Sequence, residues 1–443
     1  MDHADKLAAL SGLVDTFRKN IDEYKQTGYK EAKVRRDFID TFFELLDWDI
    51  ANKSGKSEQY RDVIIEDTIE ISGAQKAPDY CFKIGKERKF FVEAKKPSVK
   101  VKDEVDPAYQ VRRYGHTANL SLSILTDFEE FAVYDTRIKP SKNDKAGVGR
   151  LFYCTFEDYE KQFDFIYNTF SKTAVEKGSF DKYASDSTAK RGSESVDKGL
   201  LSLIEGFRLD LAKNIAKQNK KLDLYQLNAV VTKIIDRIIF LRIAEDRDVE
   251  KYGTLLKAVE GEKKAYKHVR EIFTAANEKY DSELFRANET IDNADIDDDV
   301  LKDIITALYY PDCPYELSVL PLEILGNIYE QFLGKTIRLT ESHLAKVEEK
   351  PEVRKAGGVY YTPQYIVEYI VKNTVGEKLN PATASAVSEQ GAKAPCSMTS
   401  EQASLLRICD PACGSGSFLI GAYDYLLEWH YKYYMQELNA PLL

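Results

Sequence analysis

Apolar positions change their period along this chain. In "EAKVRRDFIDTFFELLDWDI", which begins at Glu31, they fall at Val34, Phe38, Phe42, Leu45 and Leu46, the spacing of one helix face. Four short stretches rich in aromatic and β-branched residues follow, "PDYCFKI", "KFFVEAK", "LSLSILT" and "EFAVYD", and predict strands. Between the second and third, "EVDPAYQVRRYGHTAN" reads as a helix. This is α/β or α+β order. After the polar hinge "YASDSTAKRGSESVDKG" the strand signals fade. "KLDLYQLNAVVTKIIDRIIFLRIAEDRD" then places Leu227, Val230, Val231, Ile234, Ile235, Ile238 and Leu241 on one stripe, and "LPLEILGNIYEQFLGKTI" predicts a further amphipathic helix. The pattern predicts three parts: an α/β domain over 1–180, an all-helical connector over 181–350, and the start of another α/β domain over 351–443. Small polar residues between Pro381 and Ser404 predict a long surface loop.

Bulk properties narrow the class. A chain of 443 residues accommodates two or three domains. No apolar run approaches the roughly 20 residues a membrane helix needs. The N-terminus lacks the basic and apolar regions of a secretory signal, so a cytoplasmic protein is expected. Six cysteines, at 81, 154, 313, 396, 409 and 413, form no CxxC pair and predict reduced thiols. Five histidines, none at ligand spacing to those cysteines, argue against zinc. A net charge of −10 argues against a uniformly basic nucleic-acid coat. It leaves room for a local basic cleft, and Lys83, Lys86, Arg88, Lys89, Lys95, Lys96, Lys100 and Lys102 crowd together with only Glu87 and Glu93 among them.

That basic run coincides with "APDYCFKIGKERKFFVEAKKP". "IGKERK" predicts a hairpin turn. Strand alternation puts Glu93 and Lys95 on one face with Ala94 opposite, and the hairpin brings Asp79 alongside. Two converging carboxylates repel unless a divalent cation lies between them, and magnesium suits such oxygen ligands. The alternative is a surface hairpin of solvated charges. The spacing of Asp79, Glu93 and Lys95 resembles the PD-(D/E)-x-K nuclease superfamily. That resemblance implies Mg2+ held by Asp79 and Glu93, with Glu31 at the start of the first helix completing the site. It assigns Lys95 to the attacking water or the phosphate. "QVRRY" places Gln110 and Tyr114 one helical turn apart, and resembles the QxxxY element of nuclease domains in type I and type IIG restriction enzymes. It implies that Gln110 binds the scissile phosphate or the water. His116 reads as structural.

"LLRICDPACGSGSF" predicts a strand, a glycine turn and a helix start. The block from Asp410 through Ala412, Gly414 and Gly416 resembles motif I of N6-adenine DNA methyltransferases. "GGVYYTPQYIVEYIV" resembles their motif X, with Thr362 capping a helix and facing the methionine moiety. These resemblances imply S-adenosyl-L-methionine held by Thr362, Asp410, Ala412, Gly414 and Gly416. "GKS" at Gly55 and "GKT" at Gly334 are not phosphate loops, because Ile50 and Tyr329 stand where the first glycine belongs.

The whole layout resembles a type IIG restriction-modification enzyme: a restriction-endonuclease-like α/β/α nuclease, a helical connector, and the start of a doubly wound, Rossmann-like methyltransferase. The resemblance implies Mg-dependent cleavage of double-stranded DNA combined with N6-adenine methylation. Two other readings are an adenine methyltransferase with a non-cleaving DNA-binding N-terminal domain, and a non-enzymatic phage-defence scaffold. The sequence contains no Pro-Pro pair and so no Asn-Pro-Pro-Tyr-like loop to grip a flipped adenine. The expectation is therefore an N-terminal fragment whose remaining methyltransferase and target-recognition portions lie elsewhere. This chain alone is expected to transfer no tritiated methyl group to adenine N6 of mixed-sequence duplex DNA. Labelled adenine would contradict that expectation.

Overall fold

Phe82 and Phe90 stand opposite each other on neighbouring strands, and their stacked rings, 4.5 Å apart, mark the centre of the main core. In a computed structural model of the chain the described residues are 2–26, 28–65, 77–186, 196–261, 264–340, 344–355, 362–380 and 398–438. They form a mixed α/β structure in two compact units: residues 1–321 with 337–346, and residues 322–336 with 347–443.

The first unit opens with helix α1 (His3–Tyr24), then α2 (Glu31–Val34), a π-helical turn (Arg35–Ile39) and α3 (Asp40–Leu45). The strands are β1 (Val63–Ile65), β2 (Tyr80–Ile84) and β3 (Glu87–Ala94), then β4 (Leu122–Thr126), β5 (Glu130–Asp135) and β6 (Arg150–Thr155). Helix α4 (Val105–Thr117) connects β3 to β4. The six strands lie in sequence order, with β3–β4 parallel and the other pairs antiparallel. Helices α5 (Tyr159–Phe170), α6 (Lys172–Glu176) and α7 (Ser179–Asp186) follow.

Strand alternation divides the buried side chains. Tyr80, Phe82, Phe90, Val92, Ala94, Leu122 and Ile124 join a core with Phe17 of α1, Phe42 and Phe43 of α3, and Phe163 of α5. Cys81 and Phe91 pack instead with Tyr114 of α4, and Leu125, Ala132 and Tyr134 with Val111. Helices therefore cover both faces of the sheet. Helix α4 approaches closely because Gly115 has no side chain: a Cβ there would strike the Ser123 hydroxyl and the Thr136 methyl.

The helical region contains α8 (Val196–Gln218), α9 (Leu224–Asp246), α10 (Thr254–Val259), α11 (Ala265–Tyr280), α12 (Glu289–Asp292) and α13 (Asp298–Thr306). The expected stripe from Leu227 to Leu241 is buried on α9, which Asp223 and Gln226 cap reciprocally.

The second unit begins with α14 (Leu322–Leu333). The expected all-helical run to residue 350 is corrected here. Strands β7 (Lys335–Leu339) and β8 (Ala345–Glu349), of which residues 337–339 and 345–346 count with the first unit, pair after the helix stops at Gly334. Glycine favours that stop, and the β-branched pair Thr336-Ile337 suits a strand. Next come α15 (Pro351–Lys355), α16 (Gln364–Val371), a π-helical turn (Lys372–Gly376), α17 (Glu377–Leu379), α18 (Ser400–Ser404) and α19 (Ser417–Leu438). The loop expected between Pro381 and Ser404 falls mainly outside the described residues, and its last part forms α18.

Phe82→Ala is expected to destabilise the first unit by about 3–5 kcal/mol, the cost of emptying a buried aromatic site. Denaturant unfolding followed by Trp48 fluorescence checks this, since Trp48 packs edge-on against Phe82. An unchanged midpoint would contradict the core assignment.

Candidate functional site

The β2–β3 hairpin turns at Gly85, whose φ of +61° suits glycine, and pairs Tyr80 with Val92. Extending that register by one residue sets Asp79 opposite Glu93. Both carboxyl groups are fully buried. Asp79 Oδ1 accepts a hydrogen bond from Arg35 Nη1 at 3.0 Å, and Oδ2 accepts one from the Ala94 amide at 2.7 Å. Lys95 Nζ donates to Glu93 Oε1 at 2.5 Å. Among the described residues, Glu93 Oε2 is buried with no hydrogen-bond partner.

Charge follows geometry. Burial pushes the Glu93 carboxyl up to about 8; Asp79 and Glu31 add to the rise and Lys95 opposes it. Burial pulls the Lys95 ammonium down, but Glu93, Glu31 and Asp79 together outweigh it and hold its pKa above the usual value. Glu31, half-buried at the start of α2, thus lies within electrostatic reach of both. Among the described residues, no three acidic, histidine or cysteine side chains already form a coordination shell. A cation here therefore requires side chains to adjust. The donor set still fits one: two buried carboxyl groups lie within electrostatic reach of each other, and one oxygen has no partner among the described residues.

Gln110 and Tyr114 lie on α4. Gln110 Nε2 donates to the Tyr114 hydroxyl at 3.2 Å. Tyr114 is fully buried, and burial followed by the nearby Glu93 charge raises its pKa well above normal. The structure thus brings Glu31, Asp79, Glu93, Lys95 and the Gln110–Tyr114 pair to one end of the sheet. His116 is buried, with Nδ1 3.0 Å from the Thr136 carbonyl.

Sequence reasoning missed Arg35. It is 11% exposed and sits on Asp79, with its guanidinium 4.9 Å from the Tyr80 ring centre. Its position four residues after Glu31 was the available signal. Part of the expected basic cleft is otherwise engaged: Arg88 donates to the Val319 carbonyl at 2.9 Å, Lys89 pairs with Glu87 at 2.9 Å, and Lys83 is buried.

In the second unit the glycine turn is present. Asp410 Oδ1 accepts the Ala412 amide at 3.0 Å, and Gly414 and Gly416 have φ of +53° and +82° just before α19. The strand expected before Asp410 is corrected: residues 406–410 are irregular. A strand needs a neighbour to take its backbone hydrogen bonds. None pairs with this segment among the described residues, and Leu405 is 75% exposed. Thr362 does not cap α16. Pro363 occupies the cap position, and no side-chain hydrogen bond closes that end. Residues 357–361 of the expected motif X lie outside the described residues, and its residues 364–371 form α16. Glu330 of α14 was also missed. Its Oε1 is 3.3 Å from the Ser415 hydroxyl, and a Cβ at Gly414 would approach that oxygen to 2.7 Å.

Comparison with known proteins joins the two regions. Residues 322–440 match the N-6 DNA Methylase family. Over 444 aligned residues the chain is 35% identical to the Escherichia coli protein named type II restriction enzyme and methyltransferase RM.Eco57I; the match covers 99% of this chain and 42% of that relative. A shorter match, 27% identical over 124 residues, joins 24% of this chain to 10% of the adenine-specific methyltransferase BrxX of Escherichia coli O9:H4 (strain HS). No solved structure matches. The chain thus spans under half the length of the relative that it matches along nearly its whole extent. Along nearly its whole length the chain is thus similar to a protein named as both a restriction enzyme and a methyltransferase, and its residues 322–440 match the N-6 DNA Methylase family.

Proposed function

We propose that residues 1–180 form a PD-(D/E)-x-K nuclease domain that hydrolyses duplex DNA with Mg2+, and that 181–350 connect it to the S-adenosyl-L-methionine-binding part of an N6-adenine methyltransferase at 351–443. The observation that carries the nuclease reading is the burial of Asp79 and Glu93 together, with Lys95 on one carboxylate and Glu93 Oε2 without a partner. Burying two carboxyl groups within electrostatic reach of each other is costly for a merely structural element, and perturbed carboxyl groups of this kind mark reactive sites. The relative named for both activities supports the same reading.

Asp79 and Glu93 would hold the cation, with Glu31 as the third carboxylate. Bound Mg2+ would supply charge neutralisation at the phosphate and activation of water. Lys95 places its ammonium where the attacking water or the developing phosphate charge needs a donor. Gln110, tethered to Tyr114, orients the phosphate or the water. In the methyltransferase part the glycine turn at Gly414 and Gly416 would let the backbone approach the cofactor, with Asp410, Ala412 and Thr362 beside it. In the intact protein, N6-adenine methylation would protect the DNA that the nuclease otherwise cuts.

In the intact protein, Asp79→Ala and Glu93→Ala are expected to abolish Mg-dependent cleavage, and Lys95→Ala to slow it about 10²–10³-fold. Methylation should persist in all three. Gln110→Ala should slow cleavage by about tenfold, less than loss of a metal ligand. Single-turnover cleavage and methyl-transfer assays read both activities; near wild-type cutting by the Asp79, Glu93 or Lys95 variants would remove the assignment.

A second expectation follows from Glu93. Burial pushes its carboxyl up to about 8, and only the ionised form serves a cation well. Apparent affinity for Ca2+, a non-catalytic probe, should rise as pH rises from 6.5 toward 8.5 and flatten above, with proton release on binding below pH 8. Calorimetry in buffers of different ionisation enthalpy measures this. A pH-independent affinity would contradict cation binding by a carboxyl raised in this way.

A further inference from the structure

Helix α4 is gripped from two sides. One side lies on the sheet at Gly115. The other is held by the segment Cys313–Leu320, which runs between α4 and α9. Arg113, 5% exposed, donates to the carbonyls of Cys313 and Tyr315 and pairs with Glu316 Oε2 at 2.8 Å. The Glu316 amide returns a hydrogen bond to the Thr117 hydroxyl at 3.0 Å. One residue on, the Leu317 amide donates to Asp246 of α9 at 3.2 Å, and Asp246 is paired with Arg242 at 2.6 Å. Val319 completes the contact by packing into the small core around Tyr114 and Phe91.

We propose that Glu316 is a positioning residue for the nuclease: through Arg113 it fixes the height and rotation of α4, so that Gln110 and Tyr114 stand over Glu93. This rests on the nuclease reading above. Arg113 directly precedes Tyr114 on the helix, so a shift of one rotates the other. A buried ion pair contributes little net stability compared with well-packed apolar residues, but it admits one geometry. Here that geometry joins residues 203 positions apart, from the catalytic helix to the end of the helical region. The helical region therefore acts on cleavage without touching DNA at the scissile bond.

The test is a double-mutant cycle in the intact protein with Glu316→Gln, Gln110→Ala and the pair. Glu316→Gln should lower the single-turnover cleavage rate by about tenfold, with DNA affinity unchanged. In the Gln110→Ala background the same change should cost less than about twofold, because the group it positions is gone. Its effect on the melting temperature should be equal in both backgrounds. Additive rate losses, or a lower melting temperature with an unchanged rate, would overturn the proposal. Arg113→Lys, which keeps the charge but loses the fork, should repeat the pattern if Glu316→Gln folds poorly. Should Lys95→Ala leave cleavage intact, the nuclease reading fails, and hydrogen exchange then tests the tie itself. Faster exchange in Tyr109–Thr117 of Glu316→Gln, with β2 and β3 unchanged, would support positioning. Unchanged α4 exchange would overturn it.

Discussion

Two carboxyl groups buried against each other at one end of a sheet set the terms for the first unit. Removing Asp79 and Glu93 from water is unfavourable unless each finds compensation. Asp79 finds it in Arg35 and the Ala94 amide. Glu93 finds it only in part, in Lys95. That shortfall explains why its carboxyl is driven upward and why one oxygen is left over. A fold selected for stability alone would place apolar side chains at these positions. The surrounding elements make more sense as supports for an energetically poor arrangement: α2 and the π-helical turn deliver Arg35 from one side, and α4 delivers Gln110 and Tyr114 from the other.

The support is built from backbone geometry as much as from side chains. Strand alternation alone puts Val92 and Ala94 into the main core while Phe91 and Glu93 face α4. The height of α4 above Glu93 is then fixed by the missing side chain at Gly115 and by the grip of Arg113 on residues 313–316. Neither is chemistry in itself. Each determines where chemistry can occur.

This division explains what was legible in the sequence. Asp79, Glu93, Lys95 and Gln110 could be read because their relations are local: a hairpin, an alternation and one helical turn. The four strands from β2 to β5 and α4 were legible for the same reason. Arg35 escaped because its helical spacing from Glu31 does not point to its partner Asp79, 44 positions further along the chain. Arg113 and Glu316 escaped because nothing near either residue signals the other. The methyltransferase side failed differently. "LLRIC" has strand composition, but composition supplies no partner for its backbone, so residues 406–410 stay irregular. Thr362 looks like a cap, yet Pro363 holds that place, and a residue one step earlier cannot serve the first-turn amides in the same way. The β7–β8 hairpin hid behind the apolar run of α14, although Gly334 marked the end of that helix.

The exposed apolar residues of the second unit follow from the same physics. Leu405, Ile408, Tyr365 and Tyr369 are at least 42% exposed, while Val367, Val371 and Ala422 form a small buried cluster. Helices α16 and α19 bury their shared stripe and leave other apolar positions in water. In a doubly wound sheet each strand is covered on both faces, and its backbone is paired with neighbours. Apolar residues flanking an unpaired stretch are what such an arrangement would cover. The glycine turn before α19 needs no such cover, since positive φ at Gly414 and Gly416 is a local property. The turn can therefore take shape while the segment leading into it stays irregular, and the two halves of the "LLRICDPACGSGSF" motif have different structural dependence: the turn rests on its own residues, whereas a strand would need a backbone partner.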